Sequence, residues 1–424
     1  MSQSRSFLPY LFYGLPALPL ALLGLPLYVY LPTFYTQDLG IDIFTVGLVL
    51  LFARLLDMFL DPLIGYLSDH FFSRKVYIFF GMLCLLFGFY FLTHPPLDVG
   101  FMWLLLFSMC VYFGWSLMSV PYYALGADLT QSYSENTKYA SYRELFNITG
   151  VLLALSIPYM FGVADMPRES LLLMNTTVFF LLPPLLLLFL YTIKPKAQKR
   201  YAHRFKEVLQ KFFATLKRSR TLFSAFFFNS FANALPATLF LFYIELVIGA
   251  KEYAGILLLV YFFAGIIALP FWNYIARKSS KKTAWKLSMI SAMFFFAFIP
   301  FLQEGELLFF ALITLFSGMS LGADMALPTS MQADIAQNSF GSSQEMGGTL
   351  FGFFAMLVKL SLAFGVGVSF ALLGLAGFDA AAPTQQSLFV LTLLYGALPV
   401  LLKLVAYFFL DAYEENRALY DKAT

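Results

Sequence analysis

The chain has 424 residues, 60% of them hydrophobic and only 12% charged, where soluble domains carry roughly a quarter charged and under half apolar. So much apolar surface would aggregate in water, which excludes a soluble globular protein and leaves an integral membrane protein. The net charge of +3 comes mainly from loops on one side of the membrane, so topology explains it and nucleic acid is excluded as a partner. From the N-terminus, apolar runs bounded by charges, Pro or Gly fall at 8–35, 43–68, 76–94, 99–126, 142–163, 171–193, 221–248, 254–276, 285–302, 307–333, 348–374 and 387–410, which makes twelve. A transmembrane β-barrel would alternate polarity over about ten residues per strand, whereas these runs are continuous and about twice that length, so the spans are helices.

The opening MSQSRS leads into the first run with no small-residue cleavage site, so it is read as the start of span one and not as a signal peptide. Span two, LLFARLLDMFLDPLIGYLSD, carries Arg54, Asp57 and Asp61 at i, i+3 and i+7, hence on one helical face. A charge at the centre of a span costs roughly 2.5–3.5 kcal/mol, so this face is expected to meet protein or water and not lipid. Pro62 removes the backbone bond to residue 58 and frees a carbonyl beside the acids. Two carboxylates and a spare carbonyl can coordinate a cation. In the competing reading Arg54 neutralises one acid in an ion-paired stripe, but a single arginine cannot neutralise two, and crowded acids suit a site that takes Na⁺ or a proton.

Cys84 and Cys110 fall within spans three and four and read as small apolar fillers, with no support for a disulfide or metal site. His70, His94 and His203 lie in loops or at helix ends, which leaves proton chemistry to carboxylates. At 194–220 the apolar pattern breaks in KPKAQKRYAHRFKEVLQKFFATLKRSR. There Phe205, Val208, Leu209, Phe212, Phe213 and Leu216 recur at helical spacing beneath a basic face, as in an interfacial helix on an anionic leaflet.

Of the 27 basic residues, 21 share one side if the N-terminus is cytoplasmic: Arg5, Arg74, Lys75, Lys138, ten within 194–220, Arg277, Lys278, Lys281, Lys282, Lys286, Arg417 and Lys422. Only Arg168 and Lys251 fall opposite, so both termini are expected in the cytoplasm. Arg54, Arg143, Lys359 and Lys403 remain, and Lys403, near the end of span twelve, is expected to snorkel to the interface.

The two sides of the linker look related. An offset of 208 aligns Pro62 with Pro270 and Tyr66 with Tyr274, and an offset of 207 aligns Pro121 with Pro328. Two six-span halves repeated in parallel around a basic linker are the architecture of major facilitator transporters, which bind substrate near the midplane. The boundaries expected are 1–193 for the N-terminal half, 194–220 for the linker, 221–410 for the C-terminal half and 411–424 for a cytoplasmic tail.

The string R-x-x-D-x-x-x-D-P-x-x-G-x-x-x-D, read as Arg54, Asp57, Asp61, Pro62, Gly65 and Asp69, closely resembles the signature of the glycoside–pentoside–hexuronide:cation symporters, the melibiose-permease-like family of the major facilitator superfamily. VPYYALGAD in span four, YRELFNITG opening span five and MLVKLSLAFG in span eleven agree in register, so the resemblance covers most of the chain thinly. It implies a cation site at Asp57 and Asp61, a substrate role for Arg143 and a tie between Lys359 and the cation site. The sequence around Lys359 holds nothing polar enough to pair with it locally, so pairing with Asp57 or Asp61 is expected ahead of snorkelling. Arg143 stands beside Glu144, where a plain ion pair competes with the substrate role.

Departures from the family pattern are equally informative. Span one holds no charged residue through residue 35, the family's span-four acid is Ser119, close before Tyr122, and the adjoining Trp is Tyr123. These three positions are substrate-binding candidates, together with Asp324 in span ten, whose competing reading is a packing carboxylate paired with Lys359 or Arg54. Gly65, Asp69, Arg74 and Lys75 approximate the superfamily's loop between spans two and three, in which a carboxylate meets a neighbouring helix end and locks one conformation. Arg54, Pro62, Gly65 and Asp69 are therefore given conformational and ion-pair roles. Gly348 and Gly352 form a small-x-x-x-small pair, read as close helix packing.

The expected function is a cation-coupled symporter working by alternating access, with a proton as first choice of coupling ion and Na⁺ as the alternative, for a small solute such as a sugar or glycoside. An amphipathic cargo such as a lysophospholipid is a rival, since a Phe-rich, acid-poor cavity suits it, and proton-antiport efflux is another. No enzymatic chemistry, no cofactor besides the coupling ion and no metal besides Na⁺ at Asp57 and Asp61 is expected. The partners expected are the solute and the lipid bilayer, for a monomer in a bacterial-type inner membrane.

Overall fold

A computed structural model describes residues 7–24, 26–96, 99–130, 132–164, 166–195, 205–340, 346–379 and 382–415. Among them every regular element is helical, and the helices fall on the twelve expected spans in order. Nine are long and apolar enough to cross a membrane: Arg74–Thr93, Phe101–Asp128, Pro167–Thr192, Arg220–Ile248, Lys251–Lys278, Lys281–Phe301, Leu307–Gln337, Gly347–Leu375 and Gln385–Asp411. These are spans three, four and six to twelve. Spans two and five, Ile43–His70 and Tyr133–Met160, are 28 residues each and carry buried charge. Span one is broken into Leu8–Gly14, Ala17–Leu22 and a series of short turns ending at Phe34–Asp38. Prolines 16, 26 and 32 interrupt it, each removing a backbone donor, and π-turns at Pro26–Tyr30 and Phe34–Asp38 absorb the mismatch.

The chain forms two compact units, residues 1–208 with 332–356, and 209–331 with 357–424. The end of span ten and the start of span eleven are grouped with the N-terminal spans. Polar contacts explain that membership. Asn136 at the start of span five donates to Asp334 Oδ1 at 2.9 Å, and Gln337 donates to the carbonyls of Ala127 and Thr130 at 2.8 and 2.6 Å. The linker helix spans Phe205–Arg218. Arg5, Arg417, Lys422, residues 196–204 of the linker and residues 416–424 of the expected tail lie outside the described residues, as do the side chains of Phe205, Val208 and Leu209.

In the first unit, spans three and four meet at glycines. A Cβ on Gly81 would stand 2.6 Å from Met118 N, and one on Gly114 would stand 2.5 Å from Leu85 N. With no hydrophobic drive between helices in lipid, such backbone approach is what holds neighbours together. In the second unit Tyr243 stacks on Tyr395 with centroids 4.2 Å apart and donates to Ile299 O at 2.9 Å. Large apolar side chains such as Phe44, Phe59 and Phe180 are exposed along the spans, as hydrocarbon-facing surface should be.

Candidate functional site

Span two is one continuous helix with Pro62 inside it, and its buried side is where the acids lie. Asp57 and Asp61 are buried, whereas Phe59 and Leu63 are exposed. Arg54, three residues before Asp57, is exposed. Asp57 Oδ1 accepts a bond from Ser116 Oγ on span four at 2.5 Å. Ser116 stands one turn before Ser119, which is also buried, so the two serines share a face of span four. A signal for it existed in VYFGWSLMSVP, where two serines three apart share a helical face.

The start of span eleven lies against the same stretch of span two. A Cβ built on Gly352 would stand 2.2 Å from the carbonyl oxygen of Asp61, and one on Gly348 would stand 2.5 Å from that of Gly65. The small-x-x-x-small pair therefore lays backbone on backbone beside Asp61. At the end of span two, Asp69 caps span eleven. Its Oδ1 accepts from Gly348 N at 2.8 Å and Arg74 Nη2 at 2.9 Å, and its Oδ2 accepts from Thr349 N at 2.8 Å and Thr349 Oγ1 at 2.9 Å. A carboxylate on the free N–H groups of a helix start is favoured both by those bonds and by the helix dipole. Arg74 also lies 3.3 Å from Asp128 at the end of span four. His70 stacks on Tyr66 with centroids 4.4 Å apart, and its Nδ1 lies 2.9 Å from Tyr66 O.

Arg143 lies in a nest of tyrosines made by spans one, four and five. Its guanidinium sits over the Tyr123 ring, 4.2 Å from the centroid, a cation–π contact. Its Nε donates to Glu144 Oε1 at 2.9 Å and its Nη2 reaches the same oxygen, while Asn147 donates to Glu144 Oε2 at 3.1 Å. Arg143 and Glu144 are both buried, so the ion pair forms inside the unit and not at an exposed interface. Tyr122 is wholly buried, its hydroxyl donating to Tyr13 O at 2.6 Å while the Tyr13 hydroxyl donates back to Tyr122 O at 3.3 Å. Tyr122 thereby joins span four to span one.

In the second unit Asp324 is bound to Lys403, not to Lys359 or Arg54. Lys403 Nζ donates to Asp324 Oδ2 and to Asn229 Oδ1, each at 2.8 Å. Asn233 donates to Asp324 Oδ2 at 2.9 Å, and Trp285 Nε1 donates to Oδ1 at 2.8 Å. Lys403 is 6% exposed, so it does not snorkel; a buried carboxylate on span ten holds it within the unit. Lys359 is half-buried, in the part of span eleven that belongs to the second unit. Asn229, Asn233, Trp285 and Lys403 carried no site role in the sequence reading.

The thiols of Cys84 and Cys110 face one another across spans three and four, Sγ to Sγ 3.3 Å, and both are free. Among the described residues no group of three or more His, Cys, Asp or Glu could hold a metal ion.

A family model described as MFS/sugar transport protein matches residues 12–417. A sodium-dependent lysophosphatidylcholine symporter 1 from Xenopus tropicalis is 27% identical over 210 residues, which is 48% of this chain and 40% of that protein. This chain thus matches well under two thirds of that relative's length. The symporter of the same name from Gallus gallus is 23% identical over 467 residues, covering 97% of this chain and 88% of that one. Among solved structures, the E. coli fucose:proton symporter superposes with a TM-score of 0.72 at 14% identity, over 98% of this chain and all of the other. At that identity the likeness is one of fold.

Proposed function

Because the chain belongs to the MFS/sugar transport protein family of membrane transporters and is not an enzyme, we propose that it is a cation-coupled symporter working by alternating access. One observation carries the reading: span two, a 28-residue helix of a membrane transporter, buries two carboxylates one helical turn apart, Asp57 and Asp61. Intramembrane acids are functional sites by default, since a merely structural helix has no reason to bear their insertion cost. Ser116 supplies Asp57 with a hydroxyl that can donate to the carboxylate or turn its lone pairs to a bound cation. The close approach of Gly352 to Asp61 ties occupancy of that turn to the position of span eleven. One charge moving down 100 mV supplies about 2.3 kcal/mol, roughly fifty-fold accumulation.

For the cargo, an amphipathic molecule of the lysophospholipid kind is put ahead of a sugar. It is supported by the lysophosphatidylcholine symporter from Gallus gallus, which matches along 97% of this chain. It is also supported by the sugar-position residues, since Tyr122 is engaged by span one and Arg143 by Glu144. A sugar is the second reading, supported by the family description and by the melibiose-permease-like signature of span two. The sodium dependence of that relative brings Na⁺ level with the proton as coupling ion. The membrane proposed is a bacterial-type inner membrane with both termini in the cytoplasm.

The test is uptake into proteoliposomes of a fluorescent lysophosphatidylcholine and of radiolabelled sugars, with Na⁺ and pH gradients imposed separately. Gradient-driven uptake should vanish with Asp57→Asn and with Asp61→Asn. Coupled uptake that survives both substitutions refutes the cation site.

A further inference from the structure

The second unit holds a buried polar cluster that the coupling reading does not use. It joins four spans: Asn229 and Asn233 on span seven, Trp285 on span nine, Asp324 on span ten and Lys403 on span twelve. Trp285 is wholly buried, Asn229 is 2% exposed and Lys403 is 6% exposed. The Tyr261 hydroxyl of span eight also lies within electrostatic range of Asp324. Among the described residues the hydrogen bonds reaching Asp324 all come from N–H donors, two on Oδ2 and one on Oδ1, the complement of an ionised acid. The ammonium sits between a carboxylate oxygen and an amide oxygen carried by two different helices. That is the donor set of a small cation site, occupied by a side chain.

We propose that Lys403 is a tethered cation that fills a monovalent-cation site made by Asp324 and Asn229, so that the second unit takes no exchangeable ion while Lys403 is present. An intramembrane carboxylate requires a positive partner, and here the chain supplies it covalently. Asn233 and Trp285 orient the carboxylate toward the ammonium and would leave it oriented if the ammonium were removed. Removing only the charge of Lys403 therefore exposes a site for Na⁺ or for a proton from solution. This goes beyond the assignment of Asp57 and Asp61 and is tested apart from it.

The experiment uses the full-length protein in lipid nanodiscs carrying Asp57→Asn and Asp61→Asn, which silences span two, with and without Lys403→Met. Melting temperature is followed while NaCl replaces choline chloride, and separately while pH is lowered; ²²Na⁺ binding is measured in parallel. With Lys403 intact the melting temperature should not respond. Lys403→Met should confer an upward shift with Na⁺ or with acid, and adding Asp324→Asn should abolish that shift. A Lys403→Met protein as unresponsive as its parent overturns the proposal, as does a response that survives Asp324→Asn. If Lys403→Met does not accumulate as folded protein, the Asp324→Asn, Lys403→Met double variant decides: recovery of folded yield supports the neutralising role, and no recovery overturns it. A response already present with Lys403 intact overturns the proposal if Asp324→Asn abolishes it, and counts against the span-two site if Asp324→Asn leaves it.

Discussion

Asp69→Asn should release the start of span eleven from the end of span two. The carboxylate accepts bonds on both oxygens, from Gly348 N and Arg74 on one and from Thr349 N and Thr349 Oγ1 on the other. An asparagine of the same shape keeps one oxygen, so whichever edge becomes NH₂ turns a donor toward donors, and the charge opposite Arg74 is lost. Breaking a buried ion pair costs about 3–5 kcal/mol. Arg74 retains Asp128 at 3.3 Å, which places the cost near the lower end, about 3 kcal/mol or ~150-fold in an opening equilibrium. Hydrogen–deuterium exchange reads that equilibrium directly, because the amides of Gly348 and Thr349 are protected by Asp69 itself. Their exchange should accelerate by about two orders of magnitude in Asp69→Asn. Thr349→Ala, which removes one side-chain bond to a charged group worth about 1.5 kcal/mol, should accelerate it only about tenfold. Exchange unchanged in Asp69→Asn, or equal in the two variants, would refute the view that the charge holds this helix start.

Further outcomes follow from the same geometry. Ser116→Ala deletes a hydroxyl bond to Asp57 and should weaken the apparent affinity for the coupling cation about tenfold in uptake assays, while Asp57→Asn abolishes coupling outright. Gly352→Ala puts a methyl 2.2 Å from Asp61 O, so the two backbones must part by about 1 Å at a cost of about 1–3 kcal/mol. The protein should melt lower and transport poorly, whereas Gly374→Ala, with nothing within 4 Å of its Cβ, should leave both unchanged. Mild oxidation with copper phenanthroline should convert Cys84 and Cys110 to an intramolecular disulfide, seen as the loss of both maleimide-reactive thiols in a monomeric band. Persistent reactivity of both would contradict the 3.3 Å juxtaposition of spans three and four.

Hydropathy and charge asymmetry made the helical membrane class and the span boundaries legible, because lipid forces every backbone group into intrahelical bonds and leaves long apolar runs as the only solution. The functional stretch of span two was legible for the same reason: charge is so costly there that Asp57 and Asp61 stand out. Partners across helices were not. Cys84 and Cys110 are 26 residues apart and read as separate fillers until Gly81 and Gly114 bring their helices together. The membership of residues 332–356 in the first unit depends on Asn136, Asp334 and Gln337, three polar residues at helix ends whose pairing no periodicity announces.

Lys403 marks where a sharper sequence argument was available. It stands eight residues before Asp411, the last residue of its span, and at 1.5 Å per residue that is about 12 Å of helix. The distance is about twice the reach of a four-carbon lysyl stem, so snorkelling would leave the ammonium short of the end of the helix. A lysine too deep to escape needs an acid at similar depth, and Asp324 lies midway along span ten. Lys359 lies thirteenth in a span of 29 residues, and the same arithmetic puts it about 18 Å from the nearer end, equally beyond snorkelling. Depth along a helix, more than polarity alone, is therefore what separates the intramembrane cations that must find partners from those that reach water.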